Sequence, residues 1–130
     1  MSLKPSMRTP LSRVRYLGSA HSGTEHFWKQ RVSSVALVFL TIAFIIILIG
    51  LLGRSHATAA QILGSPFVAI IMLMFVITSA YHMWLGMQVI VEDYVHDELP
   101  KILLLMGNTF FCITVALACV YAVLQISLRV

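Results

Sequence analysis

Three long stretches of this chain, about residues 32–52, 60–92 and 102–128, contain one charged residue between them, Glu92 at the end of the second. A helix needs about 20 apolar residues to cross the roughly 30 Å hydrocarbon core of a bilayer. In lipid the backbone must satisfy its own hydrogen bonds, so even the β-branched run Phe44-Ile45-Ile46-Ile47-Leu48-Ile49 is helical there. The pattern predicts an all-α membrane protein with three transmembrane helices. Composition agrees: 11% of residues are charged and the mean hydropathy is +0.92, against about 25% charged in a soluble domain. The 130 residues leave no room for a separate soluble domain. A chain of this kind is a subunit rather than a complete machine.

Six of the nine basic residues, Lys4, Arg8, Arg13, Arg15, Lys29 and Arg31, precede the first span. That asymmetry places the N-terminus inside. Arg54 and Arg129 then lie outside, and the loop from His96 to Lys101 lies inside. The basic residues form no stripe interleaved with aromatics, so the net charge of +4 is not read as a nucleic-acid surface. Residues 1–24 form a basic N-terminal extension, punctuated by Pro5, Pro10, Gly18 and Gly23, and residues 25–130 form the membrane domain. The extension is Arg-rich and free of acids, like a mitochondrial transit peptide, but it shows no clear cleavage site. The expected location is a bacterial inner membrane rather than a mitochondrial one. Thr24 is the expected N-cap of a short polar lead-in, Glu25 to Arg31. Gly64-Ser65-Pro66 is either the first turn of the second span or a kink within it.

His82 is the ionisable group within the spans that matters near neutral pH. Such a group at membrane depth is a functional-site candidate by default. It either hydrogen-bonds across helices or serves as a ligand, and imidazole is the commonest protein ligand of haem iron. Gly86 at i+4 and Ser79 at i−3 leave room for a flat macrocycle, or simply for a neighbouring helix. His21, His26, His56 and His96 all fall near or outside the interface. If His82 binds haem through two protein ligands, the other must therefore come from a second copy of this chain or from a different subunit.

Asp93 and Tyr94 close the second span. Eleven residues after His82, Asp93 returns to within about 20° of the same helix face, about 16 Å away along the axis. A phenol and a carboxylate there are either boundary residues or part of a quinone-head site. Arg31 at the same interface is either a snorkelling anchor or a partner for haem propionates, which its fork geometry suits. Cys112 and Cys119 are about 10 Å apart along one helix, too far for a disulfide. Trp28, Trp84 and the seven methionines read as packing or interfacial residues.

The pattern His82-x3-Gly86-x5-Glu92-Asp93-Tyr94, with Gly23-Thr24-Glu25-His26-Phe27-Trp28-Lys29-Gln30-Arg31-Val32-Ser33-Ser34 before the first span, resembles the D-type hydrophobic membrane-anchor subunit of succinate dehydrogenase, respiratory complex II. The resemblance covers length, three spans, an inside N-terminus and the second-span motif. It implies that His82 is one axial ligand of haem b, the other coming from a C-type anchor subunit packed against this chain in a helical bundle. It implies that Tyr94 hydrogen-bonds ubiquinone, that Asp93 lies beside that site, and that Arg31 lies near the haem propionates. A flavoprotein subunit with FAD and an iron–sulfur subunit would dock on the inner face, oxidise succinate and pass electrons to the quinone. Family members without haem also lack the second-span histidine, so His82 argues for haem. The extension before the first span is longer than the commonest pattern. Two other readings stand beside this one: a cofactor-free structural or assembly membrane protein, and the equivalent anchor of a quinol:fumarate reductase. A self-contained multi-haem cytochrome b needs paired histidines on several spans, which this chain does not have.

Overall fold

The computed structural model describes Thr9, Leu11 and residues 22–128. Most of the basic extension, and Arg129, lie outside the described residues. Within residues 22–128 four helices follow in order: α1 (Ser22–Leu51), α2 (His56–Gly64), α3 (Pro66–Tyr94) and α4 (Glu98–Leu128). Three of them are long and apolar enough to cross a membrane, over Thr24–Leu51, Pro66–Tyr94 and Glu98–Leu128. The protein is thus an all-α, three-span membrane protein, as expected. At 28, 29 and 31 residues the spans run to roughly 42–46 Å, beyond the hydrocarbon thickness, so their ends reach the headgroup region or the helices tilt.

The helix boundaries differ from the sequence expectation at three places, each for a local reason. Thr24 is not an N-cap, because α1 begins two residues earlier, at Ser22. The second span begins at Pro66, the late end of the expected range from Thr58 to Pro66 and the first-turn reading of Gly64-Ser65-Pro66, rather than near residue 60. Pro66 has no N–H and pushes the preceding residue out of the helical region, and Ser65 is extended at φ −63°, ψ 136°. Pro66 therefore opens α3 at its first helical position, and the residues before it form the separate helix α2. The Ser55 hydroxyl caps α2 by accepting from Thr58 N at 3.3 Å. With nine residues α2 is about 13 Å long and cannot span. At the third boundary, α4 starts at Glu98 rather than near 102. Pro100 is tolerated there because N–H groups of a first turn have no intrahelical acceptor.

Gly53, in the left-handed region at φ 71°, terminates α1. One end of the bundle thus carries the close of α1, helix α2, the start of α3 and the close of α4. The other carries the start of α1, Tyr94 and the start of α4. Helix α3 is central, packing on both α1 and α4. Phe44 of α1 stacks on Phe75 of α3 at 4.5 Å between centroids. Trp84 of α3 donates from Nε1 to Thr109 Oγ1 of α4 at 3.0 Å, and Asn108 Nδ2 donates to the Trp84 carbonyl at 3.0 Å. Trp84 is therefore an interhelical anchor. Cys112 is buried against Asn108, whereas Cys119 is exposed.

Among the described residues very few apolar side chains are buried. Among the described residues the buried hydrophobics are Ala69, Leu85, Val91 and Cys112. Val35, Val38, Phe39, Ile42, Ile46 and Ile49 of α1 all remain exposed. Lipid or other subunits must cover them, because water would not tolerate so large an apolar face.

Candidate functional site

The α3-facing side of α1 carries His26, Gln30 and Ser33, spaced i, i+4 and i+7 on one helix face. This polar stripe enters the first span and ends against His82. Ser33 is buried at 5% exposure. Its hydroxyl donates to the Gln30 carbonyl at 3.0 Å and lies 2.8 Å from His82 Nδ1. A serine hydroxyl has one proton and two acceptor positions. With the proton on the Gln30 carbonyl, the contact to His82 is made by Nδ1–H, and Nε2 keeps its lone pair. Nε2 makes no hydrogen bond among the described residues. His26 Nε2 and Gln30 Oε1, on the same stripe, are enclosed without a hydrogen-bond partner.

His82 also walls an open groove of about 400 Å³ together with Ser34, Leu37, Val38, Thr41 and Ile42 of α1. Its other lining residues are aliphatic or small and hydroxylic, and none is ionisable. Arg31 precedes Ser34 by three residues and Val38 by seven, so it continues the groove-lining stripe of α1 toward the helix start. The Arg31 guanidinium rests 5.1 Å from the Phe27 ring centroid, a cation–π contact, and it has no ion-pair partner among the described residues. These features suit one side of a haem: an imidazole with one nitrogen held by Ser33 and the other without a hydrogen bond among the described residues, an apolar wall, and, at the end of that wall, an arginine with no ion-pair partner among the described residues.

Gly86 does not open onto this groove. A Cβ built there would face the Gln30 side-chain nitrogen at 3.8 Å. That is an ordinary contact distance, so within this chain Gly86 faces α1, and the packing there leaves room for a methyl.

Asp93 and Tyr94 are the last residues of α3, exposed, with Tyr94 79% accessible. Among the described residues neither side chain has a hydrogen-bond partner. The neighbouring Glu92 is engaged instead: its Oε1 accepts from Gln88 Nε2 at 2.8 Å, and its carbonyl accepts from Lys101 Nζ at 3.2 Å. The structure thus brings His82 to α1, and leaves Asp93 and Tyr94 without a hydrogen-bond partner among the described residues, at the end of the bundle where α1 and α4 begin. Sequence reasoning missed Ser33 as the partner of His82. The signal was present in the helical spacing of His26, Gln30 and Ser33, which marks one polar face continuing into an apolar span.

The family described as Succinate dehydrogenase/Fumarate reductase transmembrane subunit matches residues 5–121. The chain is similar to the succinate dehydrogenase hydrophobic membrane anchor subunit of Paracoccus denitrificans, 35% identical over 92% of each chain. It is also similar to the protein of the same description from Rickettsia bellii, 30% identical over 89% of this chain and 93% of that one. A third, from Rickettsia conorii, is 28% identical over 88% of this chain and 92% of that one. No solved structure gives a significant match to the chain.

Proposed function

The chain belongs to the succinate dehydrogenase/fumarate reductase transmembrane subunit family, and on that footing we propose that it is the D-type anchor of a succinate:ubiquinone oxidoreductase. In this reading His82 supplies one axial ligand of haem b through Nε2, and a C-type anchor subunit supplies the other. Arg31 pairs with the haem propionates. Haem, when bound, supplies a one-electron centre at membrane depth. The Tyr94 hydroxyl donates to a carbonyl of ubiquinone, the substrate, and Asp93 holds the charge beside it. The N-terminus lies inside a bacterial inner membrane, a location supported by the bacterial sources of the relatives. The iron–sulfur and FAD-bearing flavoprotein subunits dock at the end of the bundle that carries Tyr94.

The observation that carries the haem reading is the pairing of His82 Nδ1 with buried Ser33 at 2.8 Å, beside a groove with no other ionisable lining residue. Metal-ligating histidines characteristically donate their other ring N–H to a fixed acceptor. The same bond would satisfy a histidine used only to join two helices, so the cofactor-free reading stands as the second. Purification in mild detergent separates the two. The anchor reading predicts co-purification with a second anchor, an iron–sulfur subunit and a flavoprotein, and low-spin b-type bands in a reduced-minus-oxidised spectrum. A chain that purifies without those subunits and without a Soret band is a structural protein.

A further inference from the structure

We propose that Ser33 is a positioning residue for His82, fixing the tautomer and orientation of the imidazole and through them the redox potential of the haem; this rests on the haem reading above. His82 is carried by α3 and Ser33 by α1, so the bond pins the ring from a second helix. Ser33 is itself fixed, being buried and tied to the Gln30 carbonyl at 3.0 Å. A neutral imidazole held by one helix alone can place its proton on either nitrogen and turn about its side-chain bonds. With Nδ1–H directed to Ser33 Oγ at 2.8 Å, only Nε2 has a lone pair to offer.

The bond has an electronic consequence too. An acceptor on Nδ1–H draws that proton away from the ring and makes Nε2 a stronger donor. A stronger donor stabilises ferric iron more than ferrous iron and lowers the midpoint potential. Removal of the acceptor therefore raises it. A tenfold change in the ferric-to-ferrous affinity ratio corresponds to about 59 mV for one electron. Outer-shell partners of metal ligands typically change metal affinity about 10–100-fold, and faster haem loss of that order is expected.

The test uses the assembled complex with Ser33→Ala, Ser33→Thr and His82→Ala, each titrated for haem midpoint and followed for haem loss to an excess acceptor protein. Ser33→Ala should raise the midpoint by about 59 mV, a tenfold shift in the affinity ratio, and speed haem loss; Ser33→Thr, which keeps the hydroxyl, should restore both. A role in packing alone changes yield without moving the midpoint. An unchanged midpoint in Ser33→Ala overturns the proposal. If Ser33→Ala does not assemble, Ser33→Cys replaces it, keeping the side-chain shape with a far weaker acceptor. The same upward shift then supports the proposal, and an unmoved midpoint overturns it. His82→Ala keeps the two readings apart. Intact low-spin bands in that variant remove the haem reading and this proposal together, whereas altered bands with an unmoved Ser33 midpoint remove the proposal alone.

Discussion

Replacement of Tyr94 by Phe isolates the quinone role from the fold. Tyr94 is the last residue of α3 and is 79% exposed, and its hydroxyl has no partner among the described residues. Loss of that hydroxyl breaks no bond among the described residues, and the phenyl ring retains whatever apolar contact the tyrosine makes. The effect on assembly should therefore be near zero. At the quinone the loss is one hydrogen bond in a poorly hydrated site, about 1–3 kcal/mol. Each 1.4 kcal/mol is about a decade, so Tyr94→Phe should lower kcat/KM for ubiquinone by roughly one to two decades. The assay is steady-state ubiquinone reduction by the purified complex, with succinate-driven reduction of an artificial dye as the control. Dye reduction and the haem spectrum should stay at wild-type values. Unchanged kcat and KM for ubiquinone would make Tyr94 a boundary residue and move the quinone site elsewhere in the complex.

Other substitutions probe the packing and the topology. Gly86→Ala should leave the haem spectrum unchanged, because the new methyl meets the Gln30 side-chain nitrogen at an ordinary 3.8 Å; a shifted Soret band would show that the macrocycle lies over Gly86 after all. Thr109→Val removes the acceptor for Trp84 Nε1 and should destabilise the purified complex by about 0.6 kcal/mol, the average for interhelical hydrogen bonds in membranes, and by no more than about 1.7 kcal/mol, without altering quinone reduction. Single cysteines at Arg54 and Asp97, which lie at opposite ends of the bundle, should label from opposite sides with an impermeant reagent, Asp97→Cys from the cytoplasm. Reversed sidedness contradicts the inside N-terminus.

The three spans were legible because hydrophobic length dictates helix in lipid, whatever the β-branching of runs such as Ile45-Ile46-Ile47. The helix ends were less legible. Pro66 and Pro100 have opposite effects: one cuts a helix in two and the other sits inside a first turn. The outcome depends on whether the position's N–H would have had an acceptor, which follows from where the helix starts. His82 stood out as a lone imidazole among apolar residues. Its partner did not, because Ser33 and His82 are 49 residues apart and meet only when α1 packs against α3. Gly86 was readable as a close-approach position, but the sequence left open what approaches, and Gln30 is what the packing brings there. Asp93 and Tyr94 were correctly placed at the end of a span, yet among the described residues neither side chain has a hydrogen-bond partner, so the packing of this chain adds nothing to what the sequence says of their chemistry.

A haem shared between His82 of this anchor and a second chain has a direct spectral signature. The most direct measurement is the reduced-minus-oxidised spectrum of the purified complex, wild type beside His82→Ala. The account predicts low-spin b-type bands in the wild type and, in the variant, either loss of haem or a five-coordinate spectrum from haem held by the partner's ligand alone, with succinate-to-dye activity preserved. Low-spin bands of wild-type position and intensity in His82→Ala would contradict it.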